Sequence, residues 1–193
     1  MANTVSNYIE IDGNEEVVDH IDSLFENAGG YSDIVKFVST FYENPGLNES
    51  GDAVMFDWMY DNVGSKWIYV ENGIDTGMWN ISSGNHPPVE FFQHLYKIAS
   101  NIDPDVKILV KFEDESYEPV GAFAAMKDPN GVPSYHLDED YDMEDPTVDM
   151  DWDDEDYDET QMEFREELEG VQDSCLEECI RVIGQGEGKV ISM

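Results

Sequence analysis

The residues in this chain with the clearest capacity for chemistry are carboxylates. From Asp138 to Glu159, fourteen of twenty-two residues are acidic and none is Lys or Arg: Asp138, Glu139, Asp140, Asp142, Glu144, Asp145, Asp149, Asp151, Asp153, Asp154, Glu155, Asp156, Asp158 and Glu159. Tyr141, Met143, Val148, Met150, Trp152 and Tyr157 are threaded among them. Such a run offers two chemistries, a cage for a hard cation or a copy of a phosphate backbone. The cage fails on register. Asp149, Asp151 and Asp153 fill the first three ligand positions of an EF-hand loop, but Asp154 stands where glycine must make the turn and Thr160 where a bidentate glutamate belongs. Charge density then leaves only weak, non-specific divalent binding, the behaviour of a cation buffer.

The backbone copy fits in scale. Duplex DNA carries a phosphate about every 3.4 Å along each strand, and an extended chain advances about 3.3 Å per residue. Carboxylates about 6.5 Å apart repel by roughly 0.6 kcal/mol in water, so ordering the run alone is unfavourable. A basic cleft reverses that sign, while Trp152, Tyr141 and Tyr157 supply apolar or cation–π anchors against arginine. The fourteen carboxylates with Trp152 and Tyr157 are therefore the expected partner-binding set. A solvated acidic linker is the alternative, and it gives the tryptophan no role.

Other reactive residues point nowhere in particular. His20, His86, His94 and His136 are scattered, and no HExxH, GxSxG or phosphate-loop pattern occurs; GQGEGKVISM lacks the GxxxxGK[ST] register. Cys175 and Cys179 lie four apart, on one helix face, and two ligands do not close a zinc site. The expectation is no catalytic residue, no metal and no cofactor, with the cysteines as buried or half-buried thiols.

Nine Lys+Arg against forty-five Asp+Glu give a formal charge of −36, which repels nucleic acid and anionic membranes and attracts basic proteins. Thirty-one carboxylates lie outside 138–159, so the folded part is acidic too. Apolar residues make up 40% of the chain, enough for a core. The first residues lack the basic and apolar regions of a signal peptide, and no apolar run reaches the roughly 18 residues of a membrane span, so an intracellular, cytoplasmic setting is expected.

The elements that must position these residues follow from periodicity. TVSNYIEIDG alternates as a strand ending at Asp12-Gly13, and Asn14 caps a helix over 14–29 that stops at Gly29-Gly30. SDIVKFVSTFYENPG repeats the pattern from Ser32 or Asp33 to Pro45-Gly46. Val54, Met55, Trp58 and Met59 suggest a short amphipathic turn or helix. KWIYVENG and GMWNISSG predict a hairpin, PPVEFFQHLYKIASNI a helix over 87–102, and VKILVKFEDES and PVGAFAAMKDPNG two more strands. The stretch 160–183 reads as a helix of about six turns, interrupted or bent near Gly170. Its stripe of Phe164, Leu168, Val171, Leu176, Ile180 and Ile183 must be covered, by the chain's own sheet or by a second copy in a homodimer.

This order predicts a ferredoxin-like α+β sandwich, an antiparallel sheet with helices on one face, spanning 1–136. An acidic segment over 137–159 and a C-terminal helix with a short tail over 160–193 follow it. MANTVSNYIEIDG, the Trp79…Pro87-Pro88…Phe91 block, and Tyr117-Glu118 with Gly121 resemble the YubB-type ferredoxin-like domains of phages, plasmids and other mobile elements. The resemblance covers about residues 1–135 and implies a fold and a mobile-element setting. It carries over no catalytic residues, and the acidic segment falls outside it. Charge and resemblance together predict a phage or mobile-element protein that inhibits a basic, nucleic-acid-binding host defence protein by imitating DNA. An acidic module that assembles through its C-terminal helix is the competing expectation.

Overall fold

A computed structural model of the chain describes residues 3–28, 34–43, 56–141, 143, 145–147 and 156–192. The helix signals at Gly29-Gly30, Ser32, Asp33, Pro45-Gly46, Val54 and Met55 lie outside them. The protein is α+β. Seven strands, β1 (Thr4–Asp12), β2 (Ile68–Asp75), β3 (Met78–Gly84), β4 (Lys107–Asp114), β5 (Val120–Lys127), β6 (Pro133–Asp140) and β7 (Lys189–Val190), form one antiparallel sheet in the order β2-β3-β1-β4-β5-β6-β7. Five helices, α1 (Glu15–Ala28), α2 (Ile34–Phe41), α3 (Phe56–Asn62), α4 (Val89–Ser100) and α5 (Tyr157–Gly184), accompany it.

Local sequence accounts for the boundaries. Asn14 accepts the Val17 N–H at 3.1 Å and starts α1, and Asp22 of α1 accepts the Gly77 N–H at 3.1 Å and the Trp79 indole N–H at 2.6 Å, which fastens the β2–β3 hairpin to the helix. The inward residues of β1, Val5, Asn7, Ile9 and Ile11, alternate as period two demands. They face a core in which Phe25, Phe37, Phe41 and Phe91 interlock, with ring centroids 4.9–6.3 Å apart. α1 and α4 both contribute to this core, so the two helices expected to share one face do share it.

The expectation of helices on one face fails for the chain as a whole, because α5 packs on the opposite face over β5, β6 and β4. The cause is β5, whose VGAFAAMK is apolar on both sides. Phe123 and Ala125 enter the first core, while Val120, Ala122 and Ala124 lie under α5. α5 itself is continuous over 28 residues, with no break at Gly170. That glycine is exposed, and a Cβ there would meet nothing within 4 Å, so packing carries the helix through a residue worth only about 1 kcal/mol of propensity.

Two strands escaped the sequence reading. Leu137–Asp140, expected to open the acidic segment, ends β6, which pairs with β5 from Val120↔Asp140 to Lys127↔Pro133. Tyr135 and Leu137 alternate into the first core, a strand signal hidden by the carboxylates that follow. The expected tail forms β7 on Ser134 and Tyr135 and buries Ile191. Both sheet edges are short or irregular: β7 has two residues, and β2 shifts register between Val70 and Asn72 and again between Gly73 and Asp75.

Gly121 sets the approach of β5 to β6. An added Cβ would sit 2.3 Å from the Asp138 carbonyl oxygen and 2.7 Å from Phe112, and backbone does not yield cheaply. Gly121→Ala is therefore expected to destabilise by several kcal/mol, whereas Gly170→Ala should be neutral or stabilising. Phe164→Ala should cost about 3–5 kcal/mol. At about 2–4 °C per kcal/mol for a chain this size, thermal melting of the three variants gives the check.

Candidate partner-binding surface

The surface to be explained begins on the buried side of α5. Phe164, Leu168, Gln172, Cys175, Cys179, Val182 and Ile183 recur every three or four residues and face the sheet. Val171 and Leu176 are half-buried beside them, and Ile180, expected inward, is 38% exposed, because Cys179, Val182 and Ile183 take the inner positions around it. The sheet offers small partners: Ala122 and Ala124 meet Cys175 and Cys179, and the Cys179 Sγ–H donates to the Ala122 carbonyl oxygen at 3.4 Å. At the first turns, Tyr117 packs edge-on against Phe164 at 4.9 Å, and Gln172 Nε2 donates to the Phe112 carbonyl oxygen at 3.2 Å. Two ion pairs stitch α5 to β4 reciprocally, Lys111 to Asp173 at 2.6 Å and Arg165 to Glu113 at 3.2 Å.

Docked this way, α5 turns its carboxylates outward. It carries nine, Asp158, Glu159, Glu163, Glu166, Glu167, Glu169, Asp173, Glu177 and Glu178, all exposed except the half-buried Glu178. Its two cations are both ion-paired, Arg165 as above and Arg181 to Glu178. Glu159, Glu166 and Asp173 recur at intervals of seven and form a line about 10 Å from charge to charge. Across 28 residues, about 42 Å of helix, nine carboxylates average one per about 4.7 Å, close to the about 3.4 Å of one DNA strand. Sequence reading missed this layer beyond Glu159, although its signal was legible as acidic residues opposite an apolar stripe.

The expected site is divided by the fold. Asp138, Glu139 and Asp140 lie on β6. Tyr141 is exposed and donates its hydroxyl hydrogen to Glu139 at 3.2 Å. Met143 is buried against Val120, Phe164 and Leu168, and Asp145 accepts the Thr147 N–H at 2.8 Å, so the chain leaving β6 is pinned near where α5 begins. Asp156 precedes α5, and Tyr157, Asp158 and Glu159 form its first turn. Asp142, Glu144, Asp149, Asp151, Trp152, Asp153, Asp154 and Glu155 lie outside the described residues. The described members thus sit on β6 and the first turn of α5, beside the helix face that continues them.

Both thiols and His94 are held in packed contacts. Burial first, and then Asp138, push both thiols up to about 12, far from the thiolate that nucleophilic or metal chemistry requires. Burial also lowers His94, whose Nε2 lies 2.7 Å from the Phe41 carbonyl oxygen while its ring stacks on Tyr42 at 4.2 Å. Among the described residues, no group of three or more His, Cys, Asp or Glu is placed to hold a metal ion, and no helix is long and apolar enough to cross a membrane. Comparison of the chain with protein-family models, with curated proteins and with solved structures finds no match.

The thiols give a pH signature. Both folded and unfolded chains keep these protons below about pH 9, so their contribution is whole there. Between about 9 and about 12 the unfolded chain ionises first, and stability falls as pH rises. Melting temperatures from pH 8 upward should decline, and the double variant Cys175→Ala, Cys179→Ala should lose part of that slope. Iodoacetamide at pH 8 should label neither thiol until denaturant is added.

Proposed function

We propose that the chain is a DNA mimic, a phage or mobile-element protein that occupies the nucleic-acid groove of a basic host defence protein, such as a restriction or CRISPR component. The observation that carries this reading is the outward arc of α5. It is a helix about 42 Å long, held rigidly on the sheet, with carboxylates spaced near the interval of a phosphate strand. Rigidity matters because the repulsion among these charges is met once, in folding, and not again on binding. Among the described residues, Lys107, Lys111, Lys127, Arg165 and Arg181 are held in ion pairs, and nine cations in all leave the negative field of a chain with formal charge −36 little opposed.

Two sequence features agree with this setting. The order β2-β3-β1-β4, with α1 and α4 on one face, suits a ferredoxin-like core to which β5, β6, β7 and α5 are additions. The resemblance of residues 1–135 to YubB-type domains adds the mobile-element context, and with it a host cytoplasm. The mechanism is occupancy, with no bond made or broken. The assembly module is less well supported, because the apolar stripe it would use faces the chain's own sheet and leaves Met162 and Ile180 as the large apolar residues of α5 in water.

The test is competition. Labelled duplex DNA bound to restriction and CRISPR effector complexes should be displaced from at least one of them by the intact protein. The apparent affinity should fall more than tenfold between about 50 and about 300 mM salt. Glu159→Gln, Glu163→Gln, Glu166→Gln and Glu169→Gln together keep size and remove four charges, and they should weaken displacement at least tenfold. Conversion of Asp149, Asp151, Asp153, Asp154, Glu155 and Asp156 to Asn or Gln measures the share of the acidic run. Undiminished inhibition by the α5 variant would refute the reading, and displacement unaffected by salt would do the same.

A further inference from the structure

The face of the sheet that α5 covers is only half covered. α5 lies over β4, β5 and β6, and among the described residues no helix stands on the same face of β2, β3 and β1. Alternation places Tyr8 and Glu10 of β1, Met78 and Asn80 of β3 and Tyr69 of β2 on this open side. Trp67 lies here as well, because a Cβ on Gly84 would collide with its indole, and its ring stacks on Tyr69 at 5.1 Å and 12°. Where the open strands meet the wall of α5 there is a groove of about 500 Å³, floored by Tyr8, Met78 and Ile74 and walled by Leu168 and Gln172. Met78 and Ile74 are 37% and 54% exposed.

We propose that this groove is a second contact surface, taking an extended, arginine-bearing segment of the basic partner. The inference rests on the inhibitor reading and deepens it by adding a specific anchor to the bulk field. Charge complementarity selects the occupant. Lys111 and Arg165 border the groove, but each is already matched by Asp173 or Glu113, whereas Glu169 in its lining and Glu10 in the adjoining hollow, which shares Tyr8, Ile74, Met78 and Lys111 with it, are in no ion pair among the described residues. The groove therefore presents net negative charge over an apolar and aromatic floor. An anion or a second copy of a chain at −36 is repelled from it.

Arginine satisfies the rest. Its planar cation lies on aromatic faces, and its fork of donors serves acceptors that lack one. Glu10 and Glu169, in no ion pair among the described residues, supply those acceptors. The lining is mixed, with Tyr8, Gln172 and Glu169 polar beside apolar Met78, Ile74 and Leu168. Such a floor favours alternating arginine and apolar side chains of an extended segment over the continuous apolar stripe of a helix.

The experiment titrates the intact protein with two peptides of equal charge at about 150 mM salt, one alternating arginine and leucine, the other oligolysine, and follows amide chemical shifts. The arginine–leucine peptide should bind at least tenfold tighter, with shifts concentrated at Tyr8, Met78 and Asn80. The double variant Tyr8→Ala, Tyr69→Ala should weaken that peptide at least fivefold and leave oligolysine unchanged. Glu10→Gln with Glu169→Gln, which opens no cavity, should weaken it about threefold and covers the case in which the tyrosine variant does not fold. Equal affinities with shifts spread along α5 would overturn the groove and leave the inhibitor reading standing. Absence of binding by either peptide would overturn both. Concentration-dependent shifts at the same residues without peptide would assign the face to a second copy and overturn the proposal.

Discussion

The fold depends on apolar contact holding a strongly acidic helix against an acidic sheet. α5 carries nine carboxylates and lies over β6, whose end contributes Asp138, Glu139 and Asp140. Like charges at this density oppose docking. What overcomes them is burial of Phe164, Leu168, Cys175, Cys179, Val182 and Ile183, each large side chain worth about 1.5–3 kcal/mol. The ion pairs to Glu113 and from Lys111 are partly exposed and add modestly, and their larger service is to fix register along β4. The alanines of β5 allow the approach. Larger residues there would lift the helix and dismantle the contact that keeps its charges in a fixed array.

That contact also explains why the two sides of the molecule differ. The first core is aromatic, a cluster of phenylalanines under α1, α2 and α4, with Trp79 stacked on Phe25 at 5.0 Å. The second is thin and built from small side chains, so it holds a helix closely and fills little volume. The first supplies the bulk of the apolar burial, and the second supplies a platform. A surface charge layout can change without disturbing either, because the carboxylates of α5 lie outside both cores.

Much of the fold was legible. Amphipathic spacing located α1, α2 and α4, and Asp12-Gly13 and Thr76-Gly77 marked turns, because caps and turns are local chemistry, whereas Asn72-Gly73, expected as part of the hairpin turn, lies inside β2. β6 was not legible as a strand, since Asp138–Asp140 read as charge before the alternation of Tyr135 and Leu137 was counted. Strand pairing with β5 is a long-range fact that overrides composition. Gly170 signals a break or bend by propensity alone, and packing against the sheet overrides it. The candidate surface was legible only in part. Its charge stood out in the run, but its placement on α5 required knowing which side of the helix the sheet takes, and the open face beside β1 is visible only once strand order is known.

The ends of the sheet bear on how the protein lives at high concentration. A seven-stranded sheet with free edges is a template for growth, one molecule adding its strand to the next until fibres form. Here one edge is a two-residue strand that gives way to the carboxylate-bearing end of β6, and the other shifts register twice, so charge blunts the first and irregular pairing the second against an incoming strand. A chain of this charge stays dispersed at low salt because its copies repel one another. Blunt sheet ends add to that colloidal independence, and the irregular edge keeps its part when salt has screened the mutual repulsion of the chains.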